Sequence, residues 1–513
     1  MTMIRQTRTI RSGIVICLAG FAFNLSSAFA CGGGSIGAYH LSVSTYLYGL
    51  GVSQSRDLAV VAGGDKDERR VSLLDARTGA LRSAITLTGA LWGPGEFGPV
   101  STLAVDDANA RAYINTYDHI TSSGPTVGYV NVIDTRHATL LNTVSSRLPI
   151  SSRVSHHLWG MVGLPVAMTV DSRTGRLFVV NTTWPNEHPK GSVTVINGYT
   201  GSVVGEVFHD QAPNRVVVND QTGLVYVVGQ PTNNNGIADG SAYLGVLDGT
   251  SGQLLHRITL PYSVYDVAIA PRLGRLLLLG TNQFKTPSAV NYLTVVDTYH
   301  NALVDTVPLG PGSYTSMATD EAANRVFVSS TTIDTEGHAH TIIELRDARR
   351  GTLLHAVSLA GGSIQMVVDT VYQHVFVAMQ RDSAGGTTAA GSVIMLDASS
   401  GAVLHTEDIG DNPVAATADS RAERLYVVVT GPRAADYPER PPQGNGSLVT
   451  LDLMTGHRVK TVSVGVNPTD IALTRETGRV LVLSRGGAVP DKQSRIKWAE
   501  RFVSGMINII SST

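Results

Sequence analysis

Met168-Thr-Val-Asp-Ser-Arg-Thr-Gly-Arg-Leu-Phe-Val-Val180, followed after a loop by Val193-Thr-Val-Ile-Asn-Gly-Tyr-Thr-Gly201, is one unit of a pattern that runs the length of the chain. Its first half recurs from Leu103, Val216, Val267, Met317, Met366, Ala416 and Ile471. A step of about 50 residues is the signature of a repeat architecture.

Each unit holds four strand-like runs. The first is short and apolar (Leu103-Ala-Val105, Met317-Ala-Thr319), and the second is β-branched and aromatic (Arg111-Ala-Tyr-Ile-Asn115, Arg325-Val-Phe-Val-Ser329). The third ends in Asp (Val71-Ser-Leu-Leu-Asp75, Leu448-Val-Thr-Leu-Asp452), and the fourth has edge character (Ser83-Ala-Ile-Thr-Leu87, His256-Arg-Ile-Thr-Leu260). Nothing between them has helical periodicity. Four antiparallel strands repeated radially make an all-β fold, a β-propeller. Counting second strands gives nine units, whereas rings usually have four to eight blades, so the expectation is a ring of eight or nine. His40-Leu-Ser-Val-Ser44 is the unassigned strand at the N-terminal end, and Ile507-Asn-Ile-Ile510 is the last third strand. Pairing the two ends in one blade would close the ring and remove an exposed edge.

The N-terminal residues read differently. Arg5, Arg8 and Arg11 precede an apolar run from Gly13 to Phe23, and Ala28-Phe29-Ala30 follows. That order is expected of a secretory signal peptide at 1–30, with a flexible glycine-rich linker at 31–39 and one propeller domain at 40–513. The chain has two cysteines, Cys17 and Cys31. Cys17 would leave with the signal, and Cys31 would then be either a lipidation site or simply the new N-terminus. The expected location is extracytoplasmic, in the periplasm or on the cell surface. Contact with a membrane would come only through a lipid on Cys31. Of the 513 residues, 16% are charged and the net charge is −2, so nucleic acid is not an expected partner.

Connections within each unit fall into two classes. First-to-second and third-to-fourth connections are tight, as in Asp171-Ser-Arg-Thr-Gly-Arg176 and Asp75-Ala-Arg-Thr-Gly79. Asp there accepts from turn amides and Gly takes positive φ, so these carboxylates are read as turn residues and not as calcium ligands. The remaining connections are long and unlike one another, and in a propeller they leave from one face. Variable loops on a rigid scaffold are how binding surfaces are built.

The innermost strands would begin on that face. The position four before the turn residue gives Tyr48, Thr102, Ala167, Arg215, Asp266, Ser316, Gln365, Ala415 and Asp470. Arg215, Asp266, Gln365 and Asp470 are therefore candidate binding residues at the channel mouth, although wet channels tolerate polar side chains without a ligand. His156, His157 and Trp159 in one insertion, and Trp184 in another, are candidate loop contacts. His338 and His340 are read as exposed loop histidines, since zinc needs three or four converging ligands. No catalytic residue and no cofactor is assigned, because the sequence has no nucleophile elbow, phosphate loop, dinucleotide fingerprint or haem-attachment motif.

Arg176-Leu-Phe-Val-Val-Asn-Thr182, Val130-Asn-Val-Ile-Asp134 and Asn467-Pro468 resemble the YVTN/YncE-like β-propeller repeat family, over roughly Val52 to Ile510. The resemblance implies a secreted, periplasmic or surface protein, with relatives among lactonases and quinoprotein or haem-dependent oxidoreductases. Two departures stand out: the blades are longer than the family's unit, and Asn197 replaces the third-strand Asp. The tryptophan that follows the turn in quinoprotein propellers is missing after Gly79, Gly201 and Gly456. The function expected is a binding scaffold for a protein, peptide or polymer on the loop-rich face. The alternative is a propeller enzyme, either lactonase- or lyase-like with a channel-mouth metal or a quinoprotein-type subunit.

Overall fold

A computed structural model describes residues 36–40, 46–64, 69–88, 103–117, 128–146, 164–182, 191–209, 212–230, 241–282, 290–310, 312–380, 391–410, 412–431, 444–490, 500–503 and 505–511. Among them the strands form nine four-stranded antiparallel sheets and one two-stranded ribbon. The first strands of the nine sheets are Tyr46–Ser53, Leu103–Asp106, Leu164–Asp171, Ala212–Asn219, Ser263–Ala270, Ser313–Asp320, Gly362–Asp369, Pro413–Asp419 and Pro468–Thr474. Each contacts the next, and Pro468–Thr474 contacts Tyr46–Ser53, so they form the inner wall of a closed ring. The protein is a nine-bladed β-propeller, and the blades are numbered here in that order.

Blade 9 is built from both ends of the chain. Pro468–Thr474, Arg479–Ser484 and Met506–Ser511 are its first three strands, and Ile36–His40 pairs antiparallel with Met506–Ser511 as the outermost. Closure by the two ends is thus as expected, but the strand is Ile36–His40 and not His40–Ser44. It lies in the stretch that composition marks as linker. The last second-to-third connection also differs from expectation: Gly487–Pro490 and Glu500–Val503 pair as a ribbon within it.

The core is divided into nine wedges, one at each blade–blade interface. Blade 1 shows how period-two alternation does this. In Leu58–Gly64, Leu58, Val60 and Ala62 pack with Ala112, Ile114 and Ile133 of blade 2. Ala59 and Val61 face the other way, onto Leu481, Leu483, Ile507 and Ile509 of blade 9. A strand buried on both faces favours apolar residues at successive positions, which is why second strands such as Leu58–Gly64 and Arg275–Thr281 read as near-continuous apolar runs, while third strands also bury a polar residue such as Ser72, Asn131 or Thr294. Outer strands are largely exposed instead, alternating in Leu81–Thr86 and exposed along the first four residues of Leu254–Leu260.

The tight turns hold the side of the ring where inner strands end. Asp75 Oδ1 accepts from the amides of Arg77 (3.1 Å) and Thr78 (2.9 Å), and Gly79 closes the turn at φ 75°. Asn197 serves the same way, accepting from Tyr199 (2.9 Å) and Thr200 (3.3 Å), so its departure from Asp leaves the turn intact. In several blades a basic residue at the start of the second strand then reaches a turn carbonyl of another blade. Arg111 Nε donates to the Gly198 carbonyl (3.0 Å), Arg325 Nη1 to Ala398 (3.0 Å), and His374 Nδ1 meets Leu453 O at 2.9 Å. These ties link blades 2 to 3, 6 to 7 and 7 to 8.

Candidate binding face and channel mouth

Antiparallel order decides where the long connections go. Inner strands end at the tight turns, so they begin on the opposite face, where second strands end and third strands start. The second strands before, and the third strands after, 118–127, 183–190, 231–240, 283–289, 381–390 and 432–443 end and start on that face, and those connections themselves lie outside the described residues. So do Cys31, His156, His157, Trp159, Trp184 and Thr102.

Seven of the predicted mouth residues share one structural position. In eight inner strands the ladder slips by one residue, as between Pro213 and Arg215, Val264 and Asp266, Ser363 and Gln365, and Pro468 and Asp470. A bulge of this kind re-aims the next side chain, and Ala167, Arg215, Asp266, Ser316, Gln365, Ala415 and Asp470 each come directly after it. Blade 1 is shifted by one: its slip runs between Leu47 and Gly49, so Tyr48 is the bulged residue and Gly49 holds the mouth position.

Three of the four polar mouth residues, Arg215, Gln365 and Asp470, reach forward to the following blade. Arg215 Nη2 donates to the Tyr265 carbonyl in blade 5 (3.2 Å), and Nη1 donates to Asn214 O (2.9 Å). Gln365 clasps one residue of blade 8 at both ends. Its Oε1 accepts from Ala416 N (2.8 Å) and its Nε2 donates to Ala416 O (3.3 Å). Asp470 accepts from Ile471 N (2.8 Å) and from the Leu50 amide of blade 1. Asp266 accepts from Val267 N (2.9 Å) and feels the charge of Arg215. The ties to Tyr265, Ala416 and Leu50 are not legible in the sequence, because those partners belong to other repeats.

Burial sets the electrostatics of the mouth. It pushes Asp470 up to about 6, against the two amides that favour the carboxylate. It raises Asp266 as well, partly offset by Val267 N and the Arg215 guanidinium, and it lowers Arg215. The carboxyls do not converge. Asp266 is in blade 5 and Asp470 in blade 9, nearly opposite across the ring, so they do not form one metal site.

His338 and His340 lie in the blade 6 hairpin on the same side of the ring. Both meet Asp334, four and six residues away along the hairpin. His340 Nε2 is 3.1 Å and His338 Nδ1 3.5 Å from its Oδ2. The His338 amide and the His340 ring hold that exposed carboxyl at about 2.

No protein-family model matches the sequence, and no curated protein matches it. Solved structures do resemble it. A eukaryotic initiation factor shares 11% identity over 83% of this chain and 90% of its own, with a TM-score of 0.54. The dihydro-heme d1 dehydrogenase NirN, bound to DHE, shares 13% over 82% and 74%, with a TM-score of 0.48. BamB of Moraxella catarrhalis shares 13% over 80% and 97%, with a TM-score of 0.42. The likeness is one of fold.

Proposed function

We propose that this propeller is an extracytoplasmic binding scaffold, holding a protein, peptide or polymer across the face where the inner strands begin. The observation that carries the proposal is the contrast between the two faces. One is made of short Asp-and-Gly turns tied blade to blade through Arg111, Arg325 and His374. The other receives every long connection, and rigid scaffold with sequence freedom on one side is the arrangement of binding proteins. Arg215, Asp266, Gln365 and Asp470 border the channel at the centre of that face, and His156, His157, Trp159 and Trp184 belong to its loops. The YVTN/YncE-like repeats fit this reading, as do the signal-like residues 1–30, with Cys31 as the first residue of the mature chain, acylated or free. Among the described residues no helix is long and apolar enough to cross a membrane.

Site-specific photo-crosslinking tests the proposal. Ile333, 73% exposed at the blade 6 hairpin, reports on the loop-bearing face, and Met454, 53% exposed in a blade 8 turn, reports on the other. A photoreactive residue at 333 should give a discrete adduct in intact cells, and one at 454 should give none. Adducts from 454 alone would overturn the assignment of the face. Mass spectrometry of the mature N-terminus reads both cleavage and acylation.

A further inference from the structure

Outer strands of three blades carry a histidine at one register position. His256 lies opposite Val246, His355 opposite Leu345, and His405 opposite Met395. Between blades 6 and 7 the surroundings of this histidine are mostly apolar: Phe327, Ile343, Leu345 and Val357 line one small hollow with it, and the carboxylate there, Asp397, already serves its own turn. Two residues after His256 comes Ile258, and two after His355 comes Val357. Two after His405 comes Glu407, on the same side of its strand, and the adjoining turn of blade 8 contributes His457.

Backbone geometry brings that third residue in. Gly456 has φ 76° and its backbone lies so close to blade 7 that a Cβ there would sit 2.9 Å from His405 Cδ2 and 3.1 Å from Met395 Sδ. The next residue is therefore delivered over the His405 ring, with ring centroids 4.2 Å apart. One donor atom from each of His405, Glu407 and His457 lies within 4.8 Å of the others.

We propose that His405, Glu407 and His457 bind one zinc ion that bridges blades 7 and 8 at the outer rim of the turn-bearing side. Two imidazoles and a carboxylate are a common zinc donor set, with water in the fourth position. His405 Nε2 and Glu407 Oε2 are 3.3 Å apart, the separation expected of roughly 2.0–2.2 Å bonds at a tetrahedral angle. Arg458 Nε stands 3.3 Å from the other oxygen, Oε1. It orients the carboxylate and leaves Oε2 for the metal, as outer partners of metal ligands do. His457 is exposed, so the site opens to solvent and can take up the ion after folding.

The test is calorimetric titration of the purified protein with zinc chloride, with metal content measured after gel filtration. Wild type should bind one equivalent, and zinc should raise its melting temperature. His457→Ala, an exposed position, and Glu407→Gln should each weaken binding at least tenfold and remove that shift, while circular dichroism stays that of wild type. His340→Ala, in the other histidine–aspartate cluster, should bind as wild type does. Undiminished binding in His457→Ala, loss in His340→Ala instead, or no binding by wild type below millimolar zinc would each overturn the site.

Discussion

Asp397 and Asp470 are the same residue type on opposite faces of one ring, and the protein treats them in opposite ways. Asp397 sits in a blade 7 turn, where the Ser399 and Ser400 hydroxyls and amides hold its carboxyl at about 2 despite some burial. Asp470 sits at the channel mouth, where burial outweighs two amides and lifts it to about 6. On the turn side Asp75, Asp134, Asp248, Asp297, Asp397 and Asp452 are made easier to ionise, whereas Asp266 and Asp470 at the mouth are made harder to ionise. An ordinary aspartate lies near 3.9 in an unfolded chain, so the two faces draw on stability with opposite pH dependence. Perturbed carboxyls are also where ligand chemistry is commonly found, and this side of the ring is the one proposed to bind.

Removing Arg215 should give the largest change. Arg215→Ala deletes two hydrogen bonds from a charged group to half-buried carbonyls and takes a cation from the neighbourhood of Asp266. A loss of about 2–3 kcal/mol in urea unfolding at pH 7 is expected. The loss should grow with pH, because Asp266 would ionise with less compensation. An equal loss at pH 5 and pH 8 would break the comparison. Asp470→Asn is expected to stabilise. The folded-state value lies above the unfolded one, so ionised Asp470 costs stability as pH rises from about 4 through about 6. The substitution should add on the order of 2 kcal/mol at pH 8 and nothing near pH 4. A destabilised Asp470→Asn at pH 8 would mean that the carboxylate itself holds blade 9 to blade 1. Asp397→Ala should have the smallest effect, roughly 1 kcal/mol of lost turn hydrogen bonding at neutral pH. The sign is reversed here: the folded-state value is depressed, so the contribution is complete above about 4 and vanishes as pH falls toward about 2. Parallel melting curves of wild type and variant across that window read it directly.

How much of this was legible in the chain differs between the two faces for a physical reason. The turns could be read because their chemistry is local: Asp75 serves amides two and three residues on, and Gly79 takes the positive φ that closes the same turn. The mouth positions followed from counting back from those turns. Blade 1 departs from that count: Ser53 occupies the place of the Asp, Tyr48 is the bulged residue and Gly49 holds the mouth position. What the mouth residues do was not legible, since Gln365 meets Ala416 and Asp470 meets Leu50 only when the ring is assembled. The recurrent Arg111, Arg325 and Arg424 were visible as a pattern, yet the turn carbonyls that Arg111 and Arg325 tie across blades belong to other repeats. The closing strand was displaced for a related cause. Ile36-Gly-Ala-Tyr-His40 follows a run of glycines and has weak strand composition, and its pairing with Met506–Ser511 is what makes it a strand.

That closing strand also sets an order of events in time. Ile36–His40 is made before any other strand of the ring, and its partner Met506–Ser511 is made after the other eight blades are complete. Throughout that interval the first strand waits with its hydrogen-bonding edge unsatisfied, and Arg479–Ser484 in turn waits for Met506–Ser511. The ring therefore latches only on a chain that has been synthesised to its final strand. A product cut short before Met506 keeps an open edge, and an open edge is what proteases and aggregation find first. Ring closure in blade 9 therefore depends on two segments some 470 residues apart meeting as neighbours.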